Sequence, residues 1–268
     1  KELIIDMHHI ISDGISGGVL LQELQTLMKG DELPSLTCRY RDYSEWLNSD
    51  EQQQRIATQE AYWVKQYPEL PLELNFPLDF DRPLKQTYKG ASTKFEVSGD
   101  VYAQIKQLSR DSDTTLFMSV LSLVSIWIAK LTGSEDVVIG TPVSGRIRKE
   151  TMSTVGLFIN TLAIRTAPSG KKQFKDFLPE IKEKTVEMLN NQEYPFETLI
   201  EQLGVSRDAS RNPLFDVLYS LQQVPGMAPA MVTGEHAEAQ AKVDLTVEAR
   251  AVDDKLVFNI SYATSIYR

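Results

Sequence analysis

The sequence predicts an α/β protein. Two observations carry that class. Short apolar runs rich in isoleucine and valine alternate with segments of helical periodicity, and the last forty residues hold two alternating apolar and polar runs joined by a turn. The 268 residues suffice for one large domain or two smaller lobes, each with its own core.

The elements follow in order. Residues 2–6 (ELIID) read as a buried strand, and 7–13 as the loop that leaves it. In 16–30, Val19, Leu20, Leu24 and Leu27 recur at helical spacing up to Gly30, a natural C-terminal stop. Residues 40–67 are polar and helical, with Tyr43, Trp46, Leu47, Tyr62 and Trp63 as packing anchors. The stretch 68–83 carries four prolines and reads as an extended connector. Beyond it the pattern predicts a strand at 91–98, helices at 100–111 and 114–131, and strands at 135–143 and 157–165. Helices at 173–190 and 195–203 and a strand within 213–222 follow. Residues 242–249 and 255–262 alternate like a half-buried hairpin, with 250–254 as the turn. The Pro-, Gly- and Ala-rich stretch before that hairpin reads as a long crossing loop.

Composition narrows the function. Lys plus Arg total 28 against 37 Asp plus Glu, a net charge of −9, which speaks against a nucleic-acid partner. The longest apolar run, 115–131, is short for a membrane span and holds three serines and a lysine, so a core helix is expected rather than a membrane segment. Cys38 is the only cysteine, which fits a reducing cytoplasm. The opening residues show no signal peptide and read as the middle of a structure, which suggests a chain cut from a longer polypeptide.

Two of the three histidines stand together in MHHIISDGIS (7–16); the third is His236. Adjacent histidines on a short loop rarely reach one ion, so no metal site is expected. Local chemistry leaves two readings open. In one, His9 is a base beside a helix N-terminus. Its imidazole takes a proton while the N–H of Gly14 donates to a carbonyl oxygen gaining negative charge, glycine allowing close approach and an unusual backbone angle. In the other, Asp13 caps the helix and the histidines pack at a strand end.

The string as a whole resembles the third core motif of nonribosomal peptide synthetase condensation domains. Four later stretches resemble successive motifs of that family: YRDYSEW (40–46), with Ser44 in place of alanine; VGLFINTLAIR (155–165); NQEYPFE (191–197), with Glu193 in place of aspartate; and RDASRNPL (207–214). Taken alone, these four read as structural, although GLFINT, a strand expected beside the site, carries more functional weight, and a buried Asn160 in it must find hydrogen-bond partners.

The resemblance implies a chloramphenicol acetyltransferase-like α/β fold, two lobes with mixed sheets and flanking helices. Here an incomplete first lobe would be joined to most of the second. Residues 1–40 would be the remnant of the N-terminal lobe, 41–83 a helical segment and inter-lobe connector, and 84–268 the C-terminal lobe. A floor loop would lie at about 140–150 and a latch at about 222–242. Without the rest of the first lobe, the fragment alone is not expected to catalyse.

The implied reaction joins a carrier-bound donor aminoacyl or peptidyl thioester to the amine of a carrier-bound acceptor, in the biosynthesis of peptide antibiotics. By the resemblance, the domain would bind no cofactor of its own, and both substrates would ride on 4′-phosphopantetheine arms. The implied partners are upstream and downstream peptidyl carrier domains and an adenylation domain of the same polypeptide. His9 and Gly14 would be catalytic. His8, Asp13, Arg146 and Asn160 would hold the site, with Arg146 pairing Asp13. An epimerization domain shares the fold and the histidine motif, although VGLFINT looks like the condensation form. A non-catalytic recruitment platform commonly loses the motif histidine, and a coenzyme A-dependent acyltransferase would not carry five motifs in this order.

Overall fold

The computed structural model describes residues 4–206, 208–222 and 240–268. Helices α1 (Gly14–Met28), α2 (Tyr40–Leu47) and α3 (Asp50–Gln66) come first. The rest is strand β1 (Gly90–Ser98), helices α4 (Gly99–Asp111) and α5 (Leu116–Thr132), and strands β2 (Val137–Val143) and β3 (Asn160–Thr166). Then come α6 (Phe174–Asn190), α7 (Phe196–Gln202), β4 (Val217–Gln222), β5 (Leu245–Val252) and β6 (Lys255–Ala263).

The strands form one sheet in the order β1-β6-β5-β4-β2-β3. Strand β4 runs parallel to β2 and β5, and the other pairings are antiparallel, so the sheet is mixed. Helix α5 packs on β2 and β4 and lies against α4 and α6. Thr115 caps it by accepting the Met118 N–H at 3.2 Å, and Gly133 ends it in the left-handed region at φ +72°. Leu121 and Ile128 are fully buried, each contributing roughly 1.5–3 kcal/mol. Its three serines are buried without penalty. Ser122 and Ser125 donate to Ser119 O and Leu121 O, and Ser119 exchanges a hydrogen bond with Ser109.

Three expectations need correction. Residues 4–6 carry no strand, and Ile4 is 87% exposed. No strand among the described residues lies alongside to take their backbone hydrogen bonds. Strand β3 starts at Asn160 rather than 157, because Leu157 O and Phe158 N–H are taken by side chains from other elements. The hairpin turn is shorter than 250–254: pairing continues to Val252 and Lys255, and Asp253 takes φ +50°. The crossing loop or latch falls almost wholly on residues 223–239, outside the described residues.

The connector at 68–83 is extended and tied down. Leu74 and Phe76 enter the core, and Arg82 grips Asp244 with two guanidinium nitrogens. Beside that pair, Arg211 reaches both Asp216, at 2.9 Å, and Glu73, at 3.3 Å. Burial pushes the Asp216 carboxyl up to about 6, with Asp244 adding to the rise; the nearby arginines offset only part of it.

A folded pKa near 6 above an ordinary value of 3.8 means that the Asp216 contribution is fully present below about 3.8 and lost as pH rises through 6. Replacing Asp216 with Asn removes the ionised form. Denaturant unfolding at pH 8 and pH 4 should shift the variant-minus-wild-type stability by roughly 2 kcal/mol, in favour of the variant at pH 8. A difference independent of pH would contradict the assignment.

Candidate active site

The site grows from the start of α1. Asp13 is its N-cap: one carboxylate oxygen accepts the Ser16 N–H at 2.8 Å. Before it, His9–Ile11 form one 3₁₀ turn, with His8 as its N-cap residue. His8 is exposed, and its Nδ1 accepts the Ile10 N–H at 3.1 Å, which places the proton of the neutral ring on Nε2. His9 has the opposite arrangement. Its Nδ1 lies 2.7 Å from Ser12 O, a carbonyl that can only accept. Nδ1 therefore carries a proton, and in the neutral ring the lone pair lies on Nε2.

Gly14 has open space around the position a Cβ would take, and its φ is not in the left-handed region. The expected unusual backbone angle is absent, because the N-cap turn is made by Asp13 in extended conformation at φ −124°. Gly14 and Ile15 stand at the first two helical positions. Among the described residues, their N–H groups have no acceptor.

The other face of the loop is fixed from 130 to 145 residues away. Arg146 is buried and donates to Asp13 Oδ1 at 2.9 Å. It also donates to Ser16 Oγ at 2.9 Å, to Thr154 O at 2.7 Å and to Thr151 O. Its guanidinium lies 4.0 Å above the Phe158 ring centroid. The second Asp13 oxygen accepts the Phe158 N–H at 3.3 Å. Burial raises the Asp13 carboxyl, but the Ser16 N–H, Arg146 and the Ser16 hydroxyl outweigh it, and the net shift is downward. Asp13 stays ionised at neutral pH.

The surrounding residues shape this face. Phe158 meets Tyr40 edge-on at 5.2 Å and Tyr43 at 4.6 Å. The Tyr40 hydroxyl donates to Leu157 O at 2.8 Å. Burial, then the Asp13 charge, pushes the Tyr40 phenol up, so it remains a neutral donor. A cleft of about 200 Å³, lined in part by Tyr43, Trp46 and Ile159, opens beside Phe158.

Asn160 stands two residues further along, at the start of β3. Its amide donates to Gln192 O at 2.9 Å and Tyr194 O at 2.8 Å, and its oxygen accepts from the Thr161 and Phe196 N–H groups. It therefore pins the 191–197 turn to the start of β3. Helix α3 grips the same turn: Gln52, Arg55 and Gln59 all donate to the Glu193 carboxylate, and Trp63 donates to Asn191 O at 2.8 Å.

The structure thus gathers His9, Gly14, Asp13 and Arg146 around the start of α1, while Asn160 braces the neighbouring segment. Sequence reasoning missed Ser16, which is 0% exposed and touches Asp13, Arg146 and Gly156. Its signal was the Asp-x-x-Ser spacing at a helix start. Among the described residues, no group of three or more His, Cys, Asp or Glu side chains could hold a metal.

Comparison with known proteins gives one consistent result. The family model described as "Condensation domain" matches residues 1–268. The chain is 38% identical over 273 residues to gramicidin S synthase 2 of Aneurinibacillus migulanus, covering 99% of this chain and 6% of that protein. It is 38% identical to bacitracin synthase 2 of Bacillus licheniformis, covering 99% of this chain and 10% of that one. It therefore spans a small fraction of these relatives. Among solved structures, it is similar to holo-AB3403, a four-domain nonribosomal peptide synthetase bound to AMP and glycine. The TM-score is 0.84 at 25% identity, covering 98% of this chain and 22% of that one.

The geometry around Gly145 generates a test. Its φ is +62°, and a Cβ there would fall 1.8 Å from Phe158 O. Replacing Gly145 with Ala must displace either the loop bearing Arg146 or the segment bearing Phe158. The expected cost is at least ~2 kcal/mol in denaturant unfolding, with loss of activity. Wild-type stability would show that this contact does not hold the site.

Proposed function

This chain belongs to the condensation-domain family, and from that premise we propose that it forms peptide bonds between two thioester-bound substrates. The donor is an aminoacyl or peptidyl thioester on an upstream carrier domain, and the acceptor is an aminoacyl thioester with a free amine on a downstream carrier. Each is held by a 4′-phosphopantetheine arm, with an adenylation domain supplying substrate within the same polypeptide. The two arms meet at His9. The lone Cys38 fits a cytoplasmic setting, and among the described residues no single helix is long and apolar enough to cross a membrane.

In the reaction, the acceptor nitrogen attacks the donor carbonyl carbon. A C–N bond forms, the C–S bond breaks, and the donor arm leaves as a thiolate that takes up the proton lost by the amine. The single observation that carries this reading is the Nδ1 contact of His9 with Ser12 O. It leaves Nε2 free to orient the amine and to accept its proton. The free N–H groups of Gly14 and Ile15 lie at the same helix start. Donors so placed stabilise an oxyanion on the attacked carbonyl. Asp13 and Arg146 hold this start in place, and His8 caps the preceding turn.

Replacing His9 with Ala in the intact domain tests the reading. Supplied with two loaded carriers, the variant should form the elongated carrier-bound peptide about 10²–10⁴-fold more slowly, without unfolding. Mass spectrometry of the downstream carrier reads this directly. A mass increase by the donor residue marks condensation, whereas stereochemical inversion leaves the mass unchanged. Near-wild-type product formation would overturn the role of His9.

A further inference from the structure

We infer that Ser16 is a positioning residue for this reaction: its hydroxyl fixes the orientation in which the first turn of α1 presents the Gly14 and Ile15 N–H groups. The inference rests on the condensation reading above.

The Ser16 oxygen accepts from Gly156 N–H at 3.0 Å and from Arg146 at 2.9 Å. Its single proton has two acceptors in range, Asp13 Oδ1 at 2.8 Å and Gly156 O at 2.9 Å, and serves one at a time. The same residue donates its backbone N–H to Asp13 Oδ1. One fully buried side chain thus joins the helix cap, the guanidinium and a segment 140 residues away.

These contacts do different work. The Asp13–Arg146 pair attaches the helix end to the loop after β2. Ser16 lies two residues beyond Gly14, on the turn whose first N–H groups are free, and its bond to Gly156 fixes the rotation of that turn about the helix axis. Position 156 also has no room for a side chain, because a Cβ there would meet the Tyr40 ring at 2.0 Å, so Tyr40 closes on the residue that Ser16 holds. Oxyanion donors are sensitive to such placement, and a shift of about 1 Å can cost ~10²-fold in rate.

The test uses the intact domain with both loaded carriers, measuring kcat, KM for the acceptor carrier, and thermal stability. Three variants are compared: Ser16→Ala, Ser16→Thr and Tyr40→Phe. The last removes a hydrogen bond to the same segment, at Leu157 O, without touching the first turn of α1. Ser16→Ala should lower kcat at least ~10-fold with KM nearly unchanged, and Ser16→Thr should recover part of the loss. Tyr40→Phe, which loosens the same segment without touching the first turn of α1, should lower Tm but lower kcat by clearly less than Ser16→Ala does. Should Ser16→Ala fail to fold, Ser16→Cys keeps the volume, weakens the hydrogen bonds and carries the same comparison. A kcat within about 3-fold of wild type, or one that falls no further than in Tyr40→Phe at equal loss of Tm, would overturn the inference. Absence of peptide product from the wild-type domain would instead overturn the condensation reading.

Discussion

The site depends on one buried ion pair. Asp13 and Arg146 have side chains 4% and 0% exposed, so both have lost most of their hydration. Attraction between the two charges alone rarely repays that loss. Here each charge is also hydrogen-bonded on its remaining sides. Asp13 accepts two backbone N–H groups and the Ser16 hydroxyl, while Arg146 reaches two backbone carbonyls and lies over Phe158. Among the described residues, only Nε of the guanidinium lacks a partner. Such a pair contributes registry more than net stability. It sets the loop that carries His9 against the loop that follows β2, and no apolar contact would fix that relation to a single geometry.

A second set of contacts keeps that relation from drifting. The segment from Gly156 to Asn160 is held from three directions: Ser16 takes Gly156, Tyr40 takes Leu157 O, and Asn160 ties the 191–197 turn behind it. Helix α3 then grips this turn through the Glu193 carboxylate, which receives three side-chain donors. The sheet supplies the rigid edge, β2 and β3, from which Arg146 and Phe158 depart. Stretches that looked structural in the sequence are the path by which the core fixes a loop near the opposite end of the chain.

Much of the fold was legible because periodicity is local. Helix α5, the helical region of α2 and α3, and the β5–β6 hairpin all follow from spacing and turn residues within a short window. The failures have a common cause. Apolar content alone predicts a strand at 2–6, but a strand needs a neighbour, and among the described residues 4–6 have none. The early start given to β3 was wrong because Asp13 and Tyr40, far away in sequence, take the backbone groups that pairing would need. Within the site, His9 and Asp13 stood out as rare residues in a specific string. The partner Arg146, 133 residues away, was suggested by family resemblance rather than by spacing. Ser16 was hidden because a serine near a helix start is ordinary, and only the tertiary approach of Gly156 gives it significance.

A double-mutant cycle on Asp13→Asn and Arg146→Gln tests the central claim most directly, with unfolding free energy measured for wild type, both single variants and the double variant. If the buried pair is the joint on which the site depends, each single change strands a buried partner at a cost of roughly 3–5 kcal/mol. The double variant should then be little worse than either, giving a coupling energy of at least ~2 kcal/mol. Additive losses, with coupling below about 0.5 kcal/mol, would show that the two residues act independently and would contradict the account.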